Sequence, residues 1–206
     1  MGKSKNPYAK NTMGVGYLGE GIYKTRENNK KTKYYTSWNR MINRCYNPKF
    51  HEKYPTYKDC IVDDEWLCFQ NYAEWYEENY YEIEGEVMCL DKDILVKGNK
   101  IYSSETCIFV PNRINILFTK SNKSRGDLPI GVDELPSGRF RSHCSILNGN
   151  KKELHTIGTY DTIQEAFMHY KKFKENYIKQ IADEYKDRIP KKLYDALYNY
   201  NVEITD

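Results

Sequence analysis

Four polar side chains at alternate positions, Arg139, Arg141, His143 and Ser145, are spaced so that an extended chain turns all of them to one side. Phe140, Ser142, Cys144 and Ile146 turn to the other. An arginine fork presented on a strand can pair with a phosphate or with the edge of guanine; with nothing to bind, it solvates an exposed sheet face. A second cluster, Asp91-Lys92-Asp93, sets a cation between two carboxylates. Lysine stays protonated near neutral pH unless strongly desolvated, so Lys92 is a poor proton acceptor. Asp93 can accept a proton or bind a metal ion, although an Asp beside a strand turn is more often a structural or solvated residue. Six cysteines (45, 60, 68, 89, 107 and 144) include no close C-x₂₋₄-C pair, so structural zinc is not expected and small buried apolar residues are. His51, near Cys45, is the one neighbouring imidazole and changes little.

The elements that must hold these residues follow from periodicity. Residues 1–33 are polar and basic, with Gly14, Gly16, Gly19 and Gly21 close together, and read as a basic arm or irregular loop. A helix is expected from Thr36 or Ser37, with Tyr35, Trp38, Met41, Ile42 and Cys45 at helical spacing and Asn47-Pro48 as its end. A second helix opens at Asp63 or Asp64 and carries Trp66, Phe69, Ala73 and Tyr76 on one face. Val87–Val96 and Thr106–Val110 read as strands joined through a Lys97–Lys100 turn, and Asn112–Phe118 as a short helix after Pro111. Residues 119–127 form a polar linker. Strands are expected at Ile130–Val132, Gly138–Ile146 and Glu153–Tyr160, then a helix from a Thr162–Glu165 capping box through Ile181, and a last helix after Pro190.

Charge is unevenly spread in a chain of 206 residues whose net charge is +3. Residues 1–58 hold 13 Lys/Arg against 3 Asp/Glu, a net +10, as a phosphate-binding surface would. Residues 59–93 hold 1 Lys against 12 Asp/Glu, a net −11. The 20 Tyr suit small domains with half-wet surfaces. No apolar run reaches the roughly 18 residues of a membrane span, and the start lacks a signal peptide's apolar stretch, so no membrane partner and an intracellular site are expected.

Gly131-Val132, Gly138-Arg-Phe-Arg-Ser142, Ile157-Gly-Thr-Tyr-Asp-Thr162, Glu165-Ala166 and Tyr170 together resemble the Apetala/ethylene-response-factor DNA-binding domain over residues 129–178. The resemblance implies a three-stranded antiparallel sheet lying in the major groove with a helix packed behind it. Arg139, Arg141, His143 and Ser145 then face DNA, and Thr156 matches a family position that does so. The chain departs from the pattern at Asp133, where the family has Arg, and at Ser137, where it has Trp, so the family's target sequence does not transfer.

The segment before it resembles phage HNH homing endonucleases, through Trp38-x-x-Met41-x-x-Arg44-Cys45-Tyr46-Asn47, Tyr54, Tyr57, Glu65-Trp66-x-x-Phe69, Leu90-Asp91-Lys92-Asp93, Tyr102-Ser103-x-Glu105-Thr106-Cys107 and Asn112–Asn115. That resemblance implies a ββα-metal hairpin and helix, with Asp91 and Asn115 as ligands of one Mg²⁺ or Mn²⁺ if the protein cuts DNA. Lys92 stands at the position of the general-base His, and no His occurs between His51 and His143. The expected organisation is α+β: arm 1–33, HNH-like module 34–118, linker 119–127, and a sheet-plus-helix DNA-binding domain 128–206. The expected function is sequence-specific binding of double-stranded DNA, with metal-dependent cleavage attached to the HNH resemblance. The alternative is a catalytically inactive phage regulator or an inhibitor of a host defence protein, in the cytoplasm of the infected bacterium.

Overall fold

The computed structural model describes residues 6–119, 127–148 and 151–206. The chain divides into two compact units, Met1–Asn112 and Arg113–Asp206, so the division precedes the expected linker, of which residues 120–126 lie outside the described ones. The mixed α+β class and the three-stranded antiparallel sheet are both present.

In the first unit a two-residue hairpin, β1 (Arg26–Glu27) and β2 (Lys30–Lys31), leads into α1 (Lys33–Tyr46). The helix starts earlier than its apolar spacing suggests because Thr32 caps it, the Tyr35 amide donating to Oγ1 at 3.4 Å. It stops where Pro48 follows, and Asn47 then caps α2 (Pro48–Lys53) through the Lys49 amide at 3.1 Å. Trp38, Met41, Ile42 and Cys45 form its buried stripe. A 3₁₀ turn at Pro55–Tyr57 and β3 (Ile61–Val62) follow.

The second expected helix is two pieces, α3 (Asp64–Leu67) and α4 (Phe69–Asn79), broken at Cys68. The break has a visible cause: Tyr17 inserts its backbone, donating to Leu67 O at 3.0 Å and accepting from the Phe69 amide at 2.9 Å. The segment expected as a basic arm or irregular loop is bonded to this junction through Tyr17. Gln70 adds two bonds to the Tyr23 backbone, both 3.0 Å. A Cβ at Gly19 would stand 2.5 Å from Cys68 Sγ, and one at Gly16 would stand 2.9 Å from the Trp38 ring, so the glycines serve close approach. Around Trp38, Phe69, Tyr72, Trp75 and Tyr76 the core is mostly aromatic, which is where many of the tyrosines go. Cys45, Cys60 and Cys107 are buried in that core as thiols.

Three short strands complete the unit. β4 (Met88–Asp91) pairs antiparallel with β6 (Ile108–Pro111), Asp91 opposite Ile108. Between them β5 (Ile101–Tyr102) pairs in parallel with β3. The strand expected to run to Val96 ends at Asp91, because that side chain accepts the next amides and turns the chain. The helical segment α5 (Asn112–Asn115) and a 3₁₀ turn at Ile116–Phe118 occupy the expected 112–118 helix.

The second unit carries a sheet in the order β7 (Val132–Glu134), β8 (Phe140–Asn148), β9 (Lys151–Tyr160), antiparallel throughout. Behind it packs α6 (Ile163–Tyr185), capped by Thr162 through the Glu165 amide at 3.2 Å, with Ala166, Phe167 and Tyr170 against Val132 and Cys144. Gly131, at φ +76°, lets the Tyr170 ring lie where a Cβ would stand 2.0 Å from it. The last helix, α7 (Lys191–Tyr198), buries Leu193 and Leu197. No helix among the described residues is long and apolar enough to cross a membrane.

Candidate nucleic-acid interface

Register fixes which side chains share the helix-free face of the sheet. Asp133 stands opposite Arg141, Arg141 opposite Thr159, His143 opposite Thr156, and Ser145 opposite Leu154. Val132, Ser142 and Cys144 are buried toward the helix, as strand alternation requires. Ser142 Oγ has no hydrogen-bond partner there. A bulge intervenes: Ser142 pairs with Gly158 but His143 pairs with Thr156, which leaves Ile157 extra. Ile157 joins the helix-side core, and the one-residue shift turns exposed Thr156 outward beside His143. Arg139, Arg141, His143, Ser145 and Thr156 are thus gathered at one surface.

The arginines are not free. Arg141 holds Asp133 with two bonds, Nε to Oδ1 at 3.0 Å and Nη2 to Oδ2. His143 Nε2 lies 3.6 Å from Asp133 Oδ1. The bond from Arg141 holds the Asp133 carboxyl below its ordinary range against partial burial, and His143 adds to this. Partial burial pushes the His143 pKa down, opposed by Asp133. Arg139 donates to Asp161 Oδ1 at 2.7 Å and to Thr159 O at 3.1 Å. An arginine gripped through Nε and one Nη2 hydrogen still turns its Nη1/Nη2 edge outward, so Asp133 orients the fork and leaves donors for a ligand. Sequence reasoning missed the two partners; Asp133 was visible only as a departure from a family pattern.

In the hairpin of the first unit, Asp91 Oδ1 accepts the amides of Asp93 and Ile94 at 2.9 and 2.8 Å. Burial pushes its carboxyl up to about 6, with the Asp93 charge adding and the two amides opposing. Lys92 is 7% exposed and donates to Asn99 O at 2.9 Å and Asp93 Oδ2 at 3.1 Å. Asn99 returns a bond to Lys92 O at 2.7 Å. Burial works against the Lys92 ammonium, but Asp93, Cys60 and Asp91 outweigh it and raise its pKa. Lys92 and Asp93 therefore close the 92–100 loop as an ion pair. Two backbone amides hold Asp91 Oδ1, and Asp93 Oδ2 carries the Lys92 ammonium. Asn115 is the last residue of α5. No group of three or more His, Cys, Asp or Glu among the described residues is arranged to hold a metal. Thr106 Oγ1 bonds Ser103 Oγ and Ile101 O, at 2.9 and 2.8 Å.

Searches against protein-family models, curated proteins and solved structures found no match to this chain.

Proposed function

We propose that this protein binds double-stranded DNA sequence-specifically through the helix-free face of β7–β8–β9, as a phage-type protein acting in the cytoplasm of an infected bacterium. The observation that carries the reading is the Arg141–Asp133 pair: an arginine fork oriented on an open sheet face, flanked by Arg139, His143 and Thr156. A twisted antiparallel sheet fits the major groove, and a fork held from behind meets the two acceptors of guanine with less rotamer entropy to lose. The basic residues at the start of the chain, such as exposed Lys24, Lys30 and Lys31, would add affinity for the phosphate backbone without specificity.

On this reading the hairpin module is a degenerate HNH-like relic and the protein binds without cutting, because Lys92 remains an ammonium where a neutral imidazole would be needed. The strand–strand–helix order of β4, β6 and α5 supports the second reading, a Mg²⁺- or Mn²⁺-dependent nuclease. The exposed carboxylates of Glu74, Glu77 and Glu78 on α4 would give the inactive form a face for a basic host defence protein. Purified protein incubated with phage and host DNA, in Mg²⁺, Mn²⁺ or EDTA, should retard DNA in all three and nick it in none. Nicking that needs metal would favour the second reading. Absence of retardation, with no sequence enriched from a random duplex library, would overturn DNA binding altogether.

A further inference from the structure

The second unit holds a cavity of about 300 Å³ at the edge of its sheet. β7 pairs with β8 only as far as Ser142, and past it the His143 amide donates to Gly131 O at 2.8 Å. Farther along, the Leu147 amide donates to the Tyr177 hydroxyl at 2.7 Å. The cavity occupies the space that a longer β7 would have filled. Its walls include Ile130, Leu147 and the Tyr170 ring, together with Lys152 and Lys174.

Lys174 is the anomaly. It sits on the buried stripe of α6 between Tyr170 and Ile178, and it is 8% exposed. Its Nζ donates to the Leu117 carbonyl at 2.7 Å, a neutral acceptor. No carboxylate among the described residues pairs with it, and residues 120–126 and 148–150 contain no Asp or Glu. Asp133, the only acidic residue among the described ones lining the cavity, is engaged by Arg141 and His143. Asp206 lines an adjoining 20 Å³ space that Lys174 also touches, and its side chain accepts the Glu203 amide at 2.8 Å. Burial lowers the Lys174 pKa, with Cys144 opposing and the neighbouring Lys152 charge adding to the fall. A buried ammonium without a counter-charge costs stability that an apolar residue of similar volume would not. Such a cost at a cavity wall is the mark of a binding group.

We propose that this cavity binds a small phosphate monoester, its dianionic head between Lys174 and Lys152 and its organic part against Ile130, Leu147 and Tyr170. Two ammonium groups balance one dianion, and lysine serves phosphate as a compact point charge. The volume lies at the lower end of the range for ligand pockets, about 300–1,000 Å³. Asp133, His143 and Ser145 line both the cavity and the proposed DNA-binding face, and the ligand should bind in the absence of DNA.

The test is thermal denaturation and calorimetric titration of the full chain with a nucleoside monophosphate, a sugar phosphate and inorganic phosphate. Benzoate, the free nucleoside and NaCl at matched ionic strength serve as comparators. A phosphate ester should raise Tm with concentration while the comparators do not. Lys174→Met should melt no lower than the wild type and bind the ester at least tenfold more weakly; Lys152→Ala should weaken it while leaving Tm unchanged. If neither phosphate ester moves Tm, or if benzoate binds as well, the proposal fails. A Lys174→Met protein that melts lower and still binds would assign Lys174 to holding Leu117 and would equally overturn it.

Discussion

Asp133 faces Arg141 across two strands, and that single ion pair governs what the arginine can offer a ligand. In the proposed DNA complex, Arg141→Ala should cost about 1–3 kcal/mol of specific binding and relax preference at one base pair, read by competition with single-base variants of a selected site. Asp133→Asn should keep the fold and most non-specific affinity but blunt that preference, because the fork is no longer gripped at both oxygens. The same pair carries a pH signature. The folded-state pKa of Asp133 is depressed, so its contribution to stability is present above the unfolded value of about 3.9 and is lost as pH falls through the lower folded value. Denaturant midpoints from pH 6 down to pH 2 should therefore fall less for Asp133→Asn than for the wild type. A parallel decline in both proteins would mean that the ion pair adds nothing in solution.

At the scale of elements, both units depend on places where backbone or cap leaves no alternative. Gly131 combines a left-handed φ with the Tyr170 ring where its Cβ would go. Gly131→Ala should destabilise the second unit by about 2 kcal/mol or more, from strain and displacement of the ring together. Thr162→Ala removes the acceptor for the Glu165 amide and should cost about 1 kcal/mol in urea denaturation. The bulge at Ile157 matters to the surface as much as to the sheet. Without it Ile157 would stand beside His143, and Thr156 would turn toward α6.

For the whole molecule, the division into units assigns each half its own core, one aromatic and one built between sheet and helix. The basic leading segment cannot be deleted cleanly, since Tyr17 and Tyr23 are bonded into the first unit. Charge removal is the sounder experiment: Lys24, Lys30 and Lys31 to Ala together should lower the slope of log K against log salt by up to about 0.9 for each phosphate they neutralise. An unchanged slope would exclude these lysines from the DNA interface.

Periodicity and punctuation by themselves determined the main elements here: the α1 stripe ending at Pro48, the three C-terminal strands, and α6 opening at Thr162. These signals are local, carried by spacing within one element and by residues that start or stop it. The outward set Arg139, Arg141, His143 and Ser145 was legible for the same reason. Tertiary structure alone decided that Asp133 and Asp161 grip the arginines and that Tyr17 splits a helix at Cys68. It also decided that a bulge turns Thr156 outward, that Lys92 closes a loop, and that Lys174 faces a cavity. Each of these joins residues on different elements, closes a loop or shifts a register. Side-chain type and spacing do not encode them, because they depend on which backbone groups and volumes meet once the units have closed.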